Sequence, residues 1–158
     1  MKLSGETLTI LKNFASINMG MEFKTGNTIR TISVGKNILA EATLKDSFPD
    51  EFCVYDLNQF LSVHSLYKDP EVEFDTNNII FKSGRGKINY RKTAKEMIVT
   101  APDKNLTLPS VDVNFTLSEE DFTTILKSAN VLQSTHIAVE SSGDKIYLTC
   151  YCAKDDSA

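Results

Sequence analysis

The spacing of apolar residues predicts three short amphipathic helices. From Ser118 to Leu132, apolar residues recur at i, i+3, i+4, i+7 and i+10, starting at Phe122, which is the spacing of one helical face. The same kind of spacing predicts a helix from Ser4 to about Asn18 and another from Asp56 to about Tyr67. Ser and Asp at these first positions are side chains that cap helix N-termini.

The helices carry an internal repeat. The first and the last share the tetrapeptide TILK, at 9–12 and 124–127. In all three helices an acidic residue stands four positions before an apolar pair, and these residues are Glu6, Asp56 and Asp121. Because internal repetition indicates the architecture, we interpret the chain as copies of one unit, a short helix packed on strands.

Between the helices, alternating apolar and polar residues predict short strands. Val72 and Phe74, followed by Ile79 and Phe81, have the alternation of half-buried strands. The predicted strands lie at about 20–24, 28–34, 37–43, 51–55, 71–75, 78–82, 87–91, 111–117, 136–140 and 145–152, with 97–99 as a further candidate. The order of elements predicts an α+β fold of repeated helix-plus-antiparallel-strand units.

Pro102 and Pro109 bracket an extended segment that divides the chain, because Pro is compatible with extended backbone and disfavours regular elements. We expect a first domain at 1–101, a connector at 102–110 and the first half of a second domain at 111–158. One strand, one helix and a hairpin bury little apolar area. We therefore expect either that this half completes its core against another chain or that the sequence is a fragment.

The composition is that of a globular protein. The 158 residues are 41% hydrophobic and 24% charged, and no apolar run is long enough to predict a membrane span or a signal peptide. An odd number of cysteines, three, without the spacing of a disulfide framework indicates a reducing cytosol. The net charge of −4 argues weakly against nucleic-acid binding, although the distribution of charge matters more than the sum.

The sequence contains no P-loop, dinucleotide fingerprint or nucleophile elbow. Cys150 and Cys152 alternate on one predicted strand and His136 lies on a neighbouring strand, but zinc takes four ligands at characteristic spacing, so buried thiols are favoured. His64 shares an apolar helix face and is interpreted as a core histidine. We therefore expect a non-enzymatic protein without metal or cofactor.

Several segments carry a family resemblance in register along the whole chain. They are the opening MKLSGETLTILKNFASIN, Tyr55–Asn58 followed by Phe60 and Leu61, the connector at 99–109 and the stretch at 137–156 before the final Ser157 and Ala158. With these segments the chain resembles the DNA polymerase sliding clamps, or processivity factors, of T-even-type bacteriophages. Gly5, Asn130 and the uncharged face of the second helix depart from a more basic family pattern.

The resemblance implies subunits of two similar domains, each with two inner helices and outer sheets. It implies that three subunits close head to tail into a ring around duplex DNA, and that the family's subunit continues past Ala158 by about half a domain. A dimer is the alternative for a shorter chain. The implied function is processivity in a phage replisome, in the cytoplasm of the infected bacterial host, with replicative DNA polymerase and a clamp loader as partners. The alternative function is a self-associating α+β interaction domain that does not bind DNA.

Four lysines are predicted to contact DNA. Lys12 and Lys127 occupy equivalent positions on the polar faces of two repeat copies, and lysines contact phosphate oxygens without reading bases. Lys2 and Lys68, near helix ends, are predicted to add to this surface. The alternative is that these lysines are merely solvated.

The segment at 92–109 is the candidate region for binding partner proteins. The resemblance implies an apolar pocket for short peptides, and extended connectors can flank a peptide groove. The predicted contact residues are Ile98, Val99, Leu106 and Leu108. The alternative is that these side chains are ordinary packing of a strand and its loop.

Overall fold

A computed structural model describes residues 1–104, 107, 110–111 and 113–153. The helices are α1 (Gly5–Ile17), α2 (Leu57–Ser65) and α3 (Glu119–Val131). The strands are β1 (Met21–Phe23), β2 (Gly26–Ile32), β3 (Leu39–Phe48), β4 (Phe52–Val54), β5 (Glu71–Phe74), β6 (Asn78–Ser83), β7 (Gly86–Arg91), β8 (His136–Ser142) and β9 (Lys145–Tyr151). The predicted α+β fold is confirmed.

The chain divides into two compact units, unit 1 (Met1–Asn105) and unit 2 (Leu106–Ala158). The division falls near the predicted connector at 102–110. Asn105, Leu106, Leu108 and Pro109 of this connector lie outside the described residues. The predicted domain limits therefore stay predictions.

Unit 1 consists of small antiparallel sheets covered by two helices. Among the described residues, β1 pairs with β4, β2 pairs with β3, and β5, β6 and β7 form a three-stranded sheet. The register of the last sheet places Ile79 opposite Tyr90 and Phe81 opposite Ile88. Since side chains alternate between the two sides of a strand, Ile79 and Phe81 point to the same side, and both are fully buried.

The core of unit 1 is aromatic. Phe23 stacks on Phe52 with ring centroids 4.6 Å apart, and Phe48 meets Phe23 edge-on at 4.8 Å. Leu11 of α1 and Phe60 of α2 are both fully buried in the same cluster. Because both helices turn their apolar sides into this core, their opposite sides are left to solvent.

Local side chains fix the starts of the helices. The Ser4 hydroxyl accepts a hydrogen bond from the Thr7 amide at 3.2 Å, and the Asp56 carboxylate accepts one from the Gln59 amide at 3.0 Å. These bonds satisfy backbone N–H groups that lack a partner within the helix. Ser118 caps α3 in the same way, so all three predicted helix starts are confirmed.

Unit 2 consists of α3 on the hairpin of β8 and β9. The hairpin strands are as predicted, with His136 opposite Tyr151 and Ser142 opposite Lys145. Ala129 is the only buried apolar residue in the described part of this unit. The described part of unit 2 therefore has almost no core of its own.

Two predicted strands are wrong. At 97–99 the chain follows a 3₁₀ helix, Lys95–Met97, in which the amides of Met97 and Ile98 donate to the carbonyls of Ala94 and Lys95. These amides are used locally and cannot extend a sheet. The described residues at 111–117 also form no strand. A strand backbone needs a hydrogen-bonded neighbour, and none of the described strands pairs with this segment.

Candidate nucleic-acid interface

The outward sides of α1 and α2 form one exposed polar surface, here called the polar layer. It exists because the two helices pack side by side and bury their other faces in the shared core. Its residues are Thr9, Lys12 and Ser16 of α1 and Asn58, Gln59, Ser62 and Ser65 of α2, all of them exposed. Lys12 supplies the positive charge among these seven.

The hydroxyl groups of the polar layer are bonded back to their own helices. Thr9 Oγ1 donates to the Gly5 carbonyl at 2.9 Å, and Ser62 Oγ donates to the Asn58 carbonyl at 2.8 Å. Two further hydroxyls do the same within hydrogen-bond distance, those of Ser16 and Ser65. Each of these hydroxyl groups therefore donates its single proton to a carbonyl of its own helix. Only the lone pairs of the hydroxyl oxygen face outward.

Lys12 and Lys127 are the two predicted DNA contacts that occupy equivalent positions of the TILK repeat, one on α1 and one on α3. Both side chains are exposed. Among the described residues no carboxylate lies within ion-pair distance of either lysine. By contrast, Arg30, Lys45 and Lys82 on the strands of unit 1 are each paired with a carboxylate. The two repeat-related lysines therefore keep their charge available for an external anion.

Lys2 is held in an ion pair. Its Nζ lies 2.7 Å from Oδ2 of Asp69, and this hydrogen bond and charge raise the pKa of Lys2. Both side chains are largely exposed, and exposed pairs of this kind contribute little to stability. A phosphate therefore competes readily for Lys2. Lys68, adjacent in sequence to Asp69, is exposed, and the predicted role of both lysines stays a prediction.

The surroundings of Lys127 are more acidic than those of Lys12. The first turn of α3 contains Glu119, Glu120 and Asp121, whereas the first turn of α1 contains Glu6. Acidic residues stabilise a helix N-terminus. They also lower the local positive potential, so we expect Lys127 to attract phosphate less strongly than Lys12 does.

The predicted partner residues Ile98 and Val99 pack against unit 1. Ile98 is half-buried over Gly20, and the carbonyl of Val99 accepts a hydrogen bond from the Asn18 side-chain amide at 2.9 Å. Both side chains nevertheless retain exposed surface. Leu106 and Leu108 lie outside the described residues, so the predicted peptide site stays a prediction.

The start of the connector borders a charged cleft. A cavity of about 260 Å³ is lined by residues that include Glu22, Lys24, Arg30 and Asp103. Lys24 forms an ion pair with the Asp103 carboxylate, and this bond and charge lower the pKa of Asp103. Arg30 Nη1 donates to the Asp103 carbonyl at 3.1 Å. The cleft thus differs from the apolar pocket expected for this region.

Two functional features were missed by the sequence reasoning. The hydroxyl groups that donate to their own helices could have been predicted from the sequence, since Ser and Thr within helices often bond to the carbonyl three or four residues earlier. The ion pair of Lys2 with Asp69 had none, because 67 positions separate the two residues.

The chemistry of the described residues is limited. No group of three or more His, Cys, Asp or Glu side chains within the described ranges is placed to hold a metal ion. No described helix combines the length and apolarity that a membrane span requires. The thiols of Cys150 and Cys152 lie near backbone carbonyls, those of Ile125 and Gln133.

A family model described as DNA polymerase processivity factor matches residues 4–100. The helices and antiparallel sheets of the described residues agree with the sliding-clamp fold of that family. The chain belongs to this family of sliding clamps.

Three phage proteins named sliding clamp are similar to the chain over almost all of its length. The sliding clamp of Escherichia phage RB69 is 34% identical over 158 residues, which are 99% of this chain and 69% of that protein. The sliding clamp of Enterobacteria phage T4 is 34% identical over 160 residues, covering 100% of this chain and 70% of that protein. The sliding clamp of Vibrio phage KVP40 is 34% identical over 152 residues, covering 94% and 69%.

Proposed function

We propose that this chain is the DNA polymerase processivity factor of a phage replisome. It forms part of a closed ring around duplex DNA and tethers the replicative polymerase without catalysing a reaction. Membership of the processivity-factor family carries this proposal. Exposed lysines at equivalent positions of two repeat copies, with no ion-pair partner among the described residues, support it.

The electrostatics suit a protein that slides. Lysine contacts with phosphate are independent of sequence and weaken as salt rises, because binding releases condensed counterions. A surface with few cations holds each phosphate weakly, so it can exchange one phosphate for the next. Retention on DNA then comes from the closed ring and not from tight binding.

We assign the DNA contacts to Lys12 and Lys127, with Lys2 and Lys68 as weaker contributors. The paired state of Lys2 and the position of Lys68 beyond the end of α2 support this ranking. The polymerase and the clamp loader dock short peptides of their own into an apolar pocket at the region of Ile98, Val99, Leu106 and Leu108. The protein acts in the cytoplasm of the infected bacterium, where phage DNA is replicated.

Retention on circular DNA tests the proposed function. Labelled chain is loaded by its polymerase and loader onto a nicked circular plasmid and separated from free protein by gel filtration. We expect the chain to stay with the circle and to be lost when a restriction enzyme linearises it. Equal loss from circular and linear DNA would show that the chain does not encircle DNA.

A further inference from the structure

The ion pair of Lys2 with Asp69 lies at one end of the polar layer. The helices α1 and α2 pack side by side, and the Leu57 amide at the start of α2 donates to the Met19 carbonyl, just beyond α1, at 2.8 Å. The two helices therefore run in opposite directions, and the start of α1 meets the end of α2 at the other end of the layer. Lys2 precedes α1 and Asp69 follows α2, so their contact closes that end.

Both side chains of this pair are open to solvent. Lys2 Nζ lies 2.7 Å from Asp69 Oδ2, and the two side chains are 60% and 61% exposed. Exposed ion pairs contribute little to stability, because water and salt screen them. The pair therefore adds little to the stability of unit 1, while both of its charges remain accessible to a third charged group.

Asp69 stands between two lysines. Lys2 contacts it, and Lys68 directly precedes it in the chain and is exposed. Among the described residues no carboxylate lies within ion-pair distance of Lys68. Glu71 also acts electrostatically on Lys2, but from beyond ion-pair distance. Asp69 is thus the carboxylate that occupies one of the two cations at this end of the layer.

A DNA phosphate at this end would meet Asp69 as a competitor. Lys2 has to leave the Asp69 carboxylate before its ammonium group can bind a phosphate oxygen. A phosphate in contact with Lys2 would also lie well within the Debye length of Asp69, which is about 8 Å at physiological salt. The carboxylate therefore weakens the contact twice, because it occupies the cation and because it repels the phosphate.

We propose that Asp69 limits the affinity of this protein for DNA by competing with DNA phosphates for Lys2. This role rests on the proposed function, since it concerns regulation of the same DNA-contacting surface. A closed ring needs no tight contact to stay on DNA, and each additional phosphate contact raises the affinity and its salt dependence. Asp69 is an internal substitute for phosphate, which holds Lys2 whenever no phosphate is in reach.

The variant Asp69→Asn removes the charge of the competitor. Asp69 has a left-handed backbone, with φ of 55°, and Asn is one of the few residues besides Gly that adopt this conformation. The fold should therefore be preserved, with a urea midpoint close to that of the unaltered chain. Binding of the whole chain to duplex DNA is measured by fluorescence anisotropy between about 50 and 200 mM salt.

We expect Asp69→Asn to bind DNA more tightly and with a steeper salt dependence than the unaltered chain. One additional phosphate contact steepens the slope of log K against log[salt] by up to about 0.9 per chain. The advantage in affinity over the unaltered chain should then shrink roughly 3-fold between the lowest and the highest salt concentration.

Glu73→Gln is the matched control, because it makes the same change of net charge at another exposed ion pair. Glu73 Oε2 lies 2.6 Å from Lys82 Nζ, and the two side chains are 43% and 40% exposed. Both residues lie on strands, β5 and β6, and not at the helices of the polar layer. The slope of this variant should stay close to that of the unaltered chain. An equally steep slope in both variants would overturn the proposed role of Asp69, since net charge alone would explain it.

A variant of Lys2 separates competition for the lysine from simple repulsion of DNA. In a chain that carries Lys2→Gln, there is no cation for Asp69→Asn to release. The second substitution should then change the slope much less than it does in the unaltered chain, which is the coupling that a double-mutant cycle measures. A change of slope as large with Lys2→Gln as without it would show that Asp69 does not act through Lys2.

Lys12→Glu, measured in the same way, distinguishes this role from the DNA contact itself. If Lys12→Glu flattens the slope and Asp69→Asn leaves it unchanged, Asp69 does not compete with phosphate and the DNA-contacting surface stands. If neither substitution changes the slope, the polar layer does not contact phosphates, and the proposed DNA contacts are wrong together with the role of Asp69.

Discussion

Gly20 lies directly against Ile98, so closely that a methyl group added to Gly20 would meet Cγ2 of Ile98 at 2.7 Å. Real side chains essentially never approach to this distance. The contact joins the chain leaving α1 to the segment leading into the connector. The carbonyl of Val99 adds a hydrogen bond from the Asn18 amide in the same place.

This contact predicts a specific stability effect. Gly20→Ala should lower the free energy of unfolding of unit 1 by about 1–3 kcal/mol, because overpacking a tight site displaces its neighbours. Adding Ile98→Gly removes both close atoms, Cβ and Cγ2, and should make the alanine at position 20 nearly neutral. Urea unfolding of the two single variants and the double variant measures the coupling. Additive effects would show that the contact does not exist.

The lysines of the repeat predict the salt dependence of DNA binding. Lys12→Glu with Lys127→Glu should weaken binding and reduce the slope of log K against log[salt] by up to about 1.8 per chain, as expected for two lost phosphate contacts. Binding to duplex DNA is measured by fluorescence anisotropy at several salt concentrations.

The control for this experiment makes the same change of net charge at two lysines that lie on strands and not on the helices. Lys87 and Lys145 are exposed lysines on strands, one in each unit. Lys87→Glu with Lys145→Glu should leave the slope closer to that of the unaltered chain. If both double variants have the same slope, the effect comes from net charge and not from contacts at Lys12 and Lys127.

Asp46 predicts a loss of stability in acid. Its carboxylate accepts a hydrogen bond of 2.7 Å from the Ser4 amide at the start of α1. Burial raises the pKa of Asp46, but hydrogen bonds from Thr7 and Ser4 outweigh burial and lower it below the ordinary value of 3.8. The charged form is therefore favoured by folding. Its contribution is complete above the ordinary pKa and is lost as the pH falls through the lowered one.

The matching variant is Asp46→Asn, which keeps the shape of the side chain and removes the charge. It should cost about 1–2 kcal/mol of unfolding free energy at pH 7, towards the lower end for a hydrogen bond to a charged group, because Asp46 is only partly buried. The cost should shrink near pH 3. Urea midpoints at the two pH values measure it, and an equal cost at both would exclude a role for the charge.

His64 predicts a second pH effect in a different range. The side chain is buried, and its Nε2 has no hydrogen-bond partner among the described atoms. Burial lowers the pKa of His64 below the ordinary 6.5, while the charge of Asp69 opposes this shift. Protonation is thus favoured in the unfolded chain, so stability should decrease as the pH falls below 6.5.

His64→Leu removes this titration and keeps an apolar side chain in the core. The difference in unfolding free energy between pH 7.5 and pH 5.5 should be smaller in the variant than in the unaltered chain. Equal differences would show that His64 is protonated as easily in the folded as in the unfolded state.

The helices could be predicted because their signals are local. Ser4, Asp56 and Ser118 cap helices through bonds to amides three residues away, and the apolar period lies within each segment. Strands are harder to predict, because a strand needs a hydrogen-bonded partner strand and the residues of the strand itself do not show where that partner lies. Val113, Phe115 and Leu117 alternate correctly, yet among the described strands they find no neighbour to pair with.

The candidate site could be predicted in part for the same reason. The TILK repeat singled out Lys12 and Lys127, since a repeated position needs no knowledge of the fold. Whether a lysine is paired depends on distant residues, as Lys2 and Asp69 show. The polar helix faces could therefore be predicted from the sequence. The carboxylates that pair with nearby lysines, such as Asp69, could not.

The hydroxyl groups of the polar layer that donate to their own helices affect how easily the protein slides along DNA. A surface that donates many hydrogen bonds to phosphates would have to break them at every step. Here the protons of four hydroxyls point into the helices, so these hydroxyls turn only lone pairs, which repel phosphate oxygens, outward. The exposed donors that remain in the layer are the side chains of Lys12, Asn58 and Gln59. If duplex DNA passes along this layer, the energy profile that it meets is shallow. One-dimensional diffusion should then be fast and limited by water and ions between the two surfaces.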